Sequence, residues 1–173
     1  MANLNNPHGL RPLGINLAGG APYFEQLSKL ASYATAIFQY DAVNRVSGGA
    51  IQASATPGTT TYTGVAMNYG AASTATDHLV CTDPTALYEA QEDGSAGIAA
   101  ADLGLNANLV LTAGNTLTKI SKHQIAGSTK AVTSTLDVHL LSLLAVPDNA
   151  FGNNARIEFV FNKHRYAPGV AGV

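Results

Sequence analysis

Toward the C-terminus, hydrophobic and polar positions alternate. Leu136, Val138 and Leu140 are separated by Asp137 and His139, the two-residue period of a strand with one buried face. The run then becomes almost continuously apolar through Leu141, Leu143, Leu144 and Val146, which predicts burial on both faces or a shift of register by a bulge. Turn signals follow at Pro147-Asp148-Asn149 and Gly152-Asn153-Asn154. A second strand is predicted over 155–164, with Ile157, Phe159 and Phe161 on one face and Glu158 and Asn162 on the other. These two strands form the expected spine of the core, with Val138, Leu140, Ile157, Phe159 and Phe161 inside.

Upstream, the same reading gives short strands and turns. The β-type segment 36–43 ends at Asn44, and Ser47-Gly48-Gly49 forms a tight turn before Ile51, so a hairpin is predicted there. Thr56-Pro57-Gly58 is another turn. It is followed by a Thr- and Tyr-rich run over 59–69 that is punctuated by Gly64 and ended by Gly70. Segments 78–81 and 86–91 read as strands flanking Asp83-Pro84, although an Asp before Pro also suits the cap of one helical turn. The Ala-rich stretch 98–103 suits one helical turn closed by a left-handed Gly104. Many strands, frequent turns and at most one short helix predict a mostly β protein, a barrel or sandwich.

The first twenty residues differ in kind. Pro7, Pro12, Gly9, Gly14, Gly19 and Gly20 are spread so that no helix can propagate, and an irregular, extended arm is predicted. Twenty residues reach roughly 60 Å at ~3.3 Å each, against a radius of gyration near 15 Å for a domain of this size. The arm can therefore outreach its own body. Its Leu4, Leu10, Leu13, Ile15 and Leu17 need a docking place, on the body or on a neighbouring chain.

Composition narrows the function. The chain has 173 residues, enough for one domain with one core. Only 12% of them are charged, about half of the ~25% usual in soluble domains, so the surface is polar but weakly ionic. A net charge of −2 provides no electrostatic footprint for nucleic acid. One cysteine excludes an internal disulfide and a thiolate-built zinc site. No apolar run approaches the ~20 residues that cross a bilayer, and the N-terminus lacks signal-peptide regions. A soluble protein made in a reducing cytoplasm is expected.

Catalytic signatures do not emerge. The phosphate-binding glycine loops, the G-x-S-x-G elbow and H-E-x-x-H are all absent. His78 and Cys81 are three apart and face opposite sides of a strand. Glu89, Glu92 and Asp93 cluster beside Gly94; they have the chemistry to hold a hard cation but not the spacing of a calcium loop, and a solvated turn is the expectation. Lys163, His164 and Arg165 read as the rim of a sheet. The five histidines, at 8, 78, 123, 139 and 164, are scattered.

Several strings, taken in order and spacing together, carry a family resemblance: NNPHGLRPLG (5–14), YDAV (40–43), TGV (63–65), ALYEAQ (86–91), LGLNANL (103–109) and ARIEFVFNKH (155–164). Across most of its length the chain resembles the capsid decoration, or cement, proteins of tailed bacteriophages. The resemblance implies a small β-barrel, or β-tulip, with an extended N-terminal arm. It also implies homotrimers on the outside of an icosahedral head, at three-fold and quasi-three-fold positions, bridging major capsid subunits.

On that basis residues 1–20 are expected to be the arm and 21–173 the barrel domain. The expected partners are the major capsid protein and further copies of the chain, with no nucleic acid or membrane. Neither catalytic residues, cofactor nor metal are expected, and the protein is expected on the outer surface of the virion after synthesis in the host cytoplasm. The resemblance gives the arm a binding role in general. The chemistry of Pro7, Leu10, Arg11, Pro12 and Leu13 marks them as its contacts: the prolines limit the entropy lost on docking, the leucines supply apolar area, and Arg11 can grip a carboxylate. The competing readings are a tail-tube or head-fibre subunit and a carbohydrate-binding module.

Overall fold

The computed structural model describes residues 3–167. Its strands are β1 (Arg11–Asn16), β2 (Phe24–Lys29), β3 (Ala42–Arg45), β4 (Ile51–Ala53), β5 (Gly64–Ala66), β6 (Thr76–Cys81), β7 (Ala86–Gln91), β8 (Asn106–Ala107), β9 (Leu109–Val110), β10 (Gln124–Ile125), β11 (Val138–Leu143) and β12 (Arg156–Phe161). Two antiparallel five-stranded sheets hold most of them, in the orders β1-β7-β12-β11-β8 and β2-β6-β5-β3-β4, and β9 and β10 form a separate ribbon. The mostly β class expected from sequence is the class observed.

The barrel is not. Among the described residues neither sheet closes on itself: β1 and β8 are the edges of one, β2 and β4 of the other. Closure requires strand number, tilt and shear to agree, and the alternation of apolar residues encodes none of these. The two open sheets share a core instead. Ala42, Tyr62, Val65 and Cys81 come to it from the second sheet and its flank, and Tyr88, Val138, Leu140, Ile157, Phe159 and Phe161 from the first. An aromatic cluster lies at its centre. Phe161 stacks on Tyr62 with centroids 5.0 Å apart, and Phe159 stacks on Tyr88 at 5.6 Å. All five spine residues named from the sequence are buried. A second, smaller cluster of Leu27, Ile37, Val43, Ile51, Ala66 and Val80 includes apolar residues of β2 to β6.

Local chemistry explains where elements start and stop. Leu140 pairs with Phe159 but Ser142 with Glu158, a register shift that re-aims the apolar run of β11. The β3–β4 hairpin turns over Ser47-Gly48-Gly49, with both glycines at positive φ. Gly64 permits β5 to start close against β6, because a Cβ there would sit 1.9 Å from the Cys81 carbonyl oxygen. The segment 36–43 is not one strand: Tyr40 has φ of 71°, which breaks the extended run and delays β3 until Ala42. Of the run 59–69, only Gly64–Ala66 forms a strand. No α-helix occurs among the described residues. The turn predicted over 98–103 is a 3₁₀ turn at Ala100–Asp102 followed by left-handed Gly104, and Gly127–Thr129 adds a second, where at most one was expected.

Candidate functional site

The N-terminal segment is strapped to its own body. The Asn3 side chain donates to the carbonyls of Ala150 and Asn153 and accepts from the Ala150 N–H. Gln91 then grips the strap from below: its Nε2 donates to the Leu4 carbonyl at 2.6 Å, and its Oε1 accepts the Asn6 N–H at 2.9 Å. At Gly9 the chain dives inward. A Cβ there would stand 2.5 Å from that of Ser121, so only glycine allows Leu10 to enter the core, where it is fully buried and its N–H reaches the Tyr40 carbonyl. The segment predicted as irregular then becomes β1, pairing antiparallel with β7 in the register Arg11 to Glu89, Pro12 to Tyr88 and Asn16 to Ala86. Proline is tolerated in an edge strand because its missing N–H can face outward.

The five predicted contact residues therefore occupy unlike environments. Leu10 is core. Pro7, Pro12 and Leu13 are half-buried, and Arg11 is the exposed member at 57%. The structure also brings together residues whose association the sequence did not reveal. Glu89, 2% exposed, lies between two guanidinium groups, hydrogen-bonded to Arg156 and 3.6 Å from Arg11 Nη1. Nothing in the sequence marks Glu89 and Arg156 as partners, because they are 67 residues apart and meet only through the β7–β12 register.

At and beyond the end of β1, three apolar side chains are exposed. Ile15 is 41% exposed, Leu17 58% and Tyr23 64%. Leu17 and Tyr23 flank the same connection, since the Leu17 N–H donates to the Thr85 carbonyl and the Thr82 N–H donates to that of Tyr23. The outer edge of β1 has no strand partner among the described residues. Such an edge is normally blunted by charge, but Arg11 is the sole ionic side chain along it.

The acidic cluster is not a solvated turn. Glu92 is fully buried, and its two oxygens accept the backbone N–H groups of Gly94, Ala96, Gly97 and Asn154, while Asp93 binds Ser95 and Gly127. Among the described residues no three His, Cys, Asp or Glu side chains are placed to hold a metal ion. Lys163 and His164 are similarly engaged inward, with the lysine on the Gly58 carbonyl and the histidine buried. The histidines do not converge: His78 meets the Asn68 carbonyl, His139 the Asn106 side chain, and His123 lies beside Asp41. Burial raises the Cys81 thiol above its usual range, which suppresses its reactivity.

Asp41 and His123 form a buried pair beneath the root of the arm. Their nearest atoms are 3.4 Å apart, and His123 Nδ1 accepts the Ala42 N–H, so the neutral ring presents its Nε2–H to the carboxylate. Burial raises Asp41 from 3.8 to about 6 and lowers His123 from 6.5 to about 3. The two shifts act in opposite directions on stability. Asp41's contribution is fully present below 3.8 and is lost as pH rises through 6, whereas His123's is present above 6.5 and is lost as pH falls toward 3. Between about 4 and 6 they cancel, one proton being taken up by each state. Asp41→Asn removes the compensation. Urea midpoints for the wild type should change little from this pair between pH 6 and 4, whereas the variant should lose about tenfold in its folded-to-unfolded ratio per pH unit below 6.5. Parallel pH profiles would refute the coupling.

No helix of the described residues is long and apolar enough to cross a membrane. In comparisons with known proteins, no family model, no curated protein and no solved structure matches this chain.

Proposed function

We propose that the protein is a capsid decoration protein, a fastener that binds the outside of a bacteriophage head through its N-terminal segment and the edge beside it, acting by adhesion and not by catalysis. The observation that carries this reading is a set of exposed apolar side chains, Ile15 on β1 and Leu17 and Tyr23 past its end, beside an unpaired strand edge almost free of charge. The sequence resemblance points the same way. The total surface is 7830 Å², close to the ~8,000 Å² expected for a chain of this size. A specific interface takes roughly 800 Å² per partner, so one subunit has room to contact both capsid subunits and its own copies in a trimer. Linked contacts raise one another's effective concentration, which suits a protein that must hold a shell against internal pressure.

The fold dictates how this is tested. Deleting the arm would remove Leu10 from the core and β1 from its sheet, so loss of binding would not separate function from folding. Ile15→Asp with Leu17→Asp changes only exposed side chains. Purified wild-type protein mixed with undecorated heads should give density over the local three-fold positions by electron microscopy, and the double variant should lose binding by at least tenfold while unfolding at an unchanged urea midpoint. Equal decoration by both proteins, or a hexameric ring in solution as a tube subunit would form, overturns the proposal.

A further inference from the structure

A half-open cavity of about 450 Å³ lies between the N-terminal strap, the Pro147–Asp148–Asn149 turn and a floor of Gln91 and Arg156. That volume is within the ~300–1,000 Å³ of pockets that enclose small organic ligands. We propose that it binds a neutral sugar ring. This goes beyond the shell-binding role and does not depend on it.

The walls are already fixed. Asn3 and Gln91 are held as described above, and Asn149 donates to the carbonyls of Leu144 and Arg156 while accepting the Arg156 N–H. These amides hold the pocket open in its shape and have little left to offer a ligand. A different set does. The exposed Arg11 guanidinium stands beyond hydrogen-bond distance of Glu89, and the side chains of Asn6 and Asp148, both exposed, make no hydrogen bond among the described residues. The mouth thus presents free donors on Arg11 and Asn6 and free acceptors on Asn6 and Asp148. Between these groups, Leu4, Tyr40, Ile120 and Pro147 supply apolar wall.

Charge decides among ligand classes. Of the charged lining residues, Arg156 is neutralised by Glu89, which lies behind the wall and is hydrogen-bonded to it, and Arg11 is offset by Asp148, so the formal sum with Glu89 included is zero. A carboxylate or phosphate that approached the free Arg11 guanidinium would also meet Asp148 in the lining and Glu89 3.6 Å from that group, and so gains no net attraction. A neutral ligand with hydroxyls that both donate and accept, and with a C–H face to lay on apolar wall, matches all three features of the lining. A pyranose has that character.

Asp148 tests the site without touching the fold or the proposed shell contact. It is exposed and its φ is 59°, a backbone conformation that asparagine adopts readily, so Asp148→Asn removes the charge and preserves the turn. The full chain is screened by saturation-transfer NMR against glucose, galactose, mannose, N-acetylglucosamine and their common disaccharides, with a glutamate-rich peptide alongside. At least one neutral sugar should receive saturation, and Asp148→Asn should bind it at least tenfold more weakly while still decorating heads as the wild type does. Silence across the sugars, binding of the acidic peptide alone, or a sugar affinity unchanged in Asp148→Asn overturns the assignment. Failure to decorate heads bears on the fastener reading only, since the sugar measurement uses the free protein.

Discussion

Phe159→Ala should destabilise the protein by about 3 to 5 kcal/mol, the range for deleting a fully buried aromatic ring. Phe159 is fully buried, stacks on Tyr88 with planes 24° apart and meets Phe161 edge-on at 5.9 Å. Its removal costs transfer energy and also strips two neighbouring rings of their packing, and aromatic pairs of this geometry are worth about 0.5–1.5 kcal/mol beyond area alone. The backbone of β12 is held on both sides, by β7 and β11, so the site cannot collapse to fill the void. A urea unfolding curve with an unchanged slope and a lower midpoint is the expected readout. A loss below about 1 kcal/mol would mean that the two sheets do not share this core in solution.

How much of this was legible in the sequence follows from the range over which each interaction acts. The alternation in 155–164 was sufficient to put Ile157, Phe159 and Phe161 on one face, because side-chain direction in a strand depends only on neighbours. The bulge after Leu140 showed itself as a period that failed, and the hairpin at Ser47-Gly48-Gly49 and left-handed Gly104 needed only local backbone freedom. Local pattern misleads where distant chain intervenes. Residues 36–43 have strand propensity throughout, but Tyr40 is turned to positive φ in a setting where its carbonyl accepts from Leu10 and its N–H donates to Ala66. The arm looked unstructured because prolines and glycines forbid a helix, whereas the features that order it, Gln91 and the loop near Ala150, lie 85 or more residues away. Sheet closure is more remote still, which is why a barrel was expected and two open sheets were found.

The same distance effect hid the role of Glu92, and makes it the other position where a single change should be severe. Glu92→Ala should cost about 3 to 5 kcal/mol. Glu92 Oε1 accepts from Ala96 and Gly97 and Oε2 from Gly94 and Asn154, at 2.8 to 3.2 Å. Two loops, before Ile98 and around Asn154, are thereby tied to the end of β7. A buried donor left without an acceptor costs about 1–3 kcal/mol. Four such donors set an upper limit that water entering at the partly exposed positions would reduce, hence the narrower range. Packing leaves the carboxylate no alternative position, since a Cβ on Gly127 would fall 2.2 Å from Oε1. Glu92→Gln separates charge from shape. Its remaining carbonyl oxygen can serve one pair of N–H groups, but its amide must point two hydrogens at the other pair, so roughly half of the alanine penalty should persist. Because the carboxylate is out of contact with solvent, added salt should restore neither variant. A glutamine variant as stable as the wild type would show that two of the four N–H groups contribute nothing through Glu92 and that the negative charge is not needed for the knot.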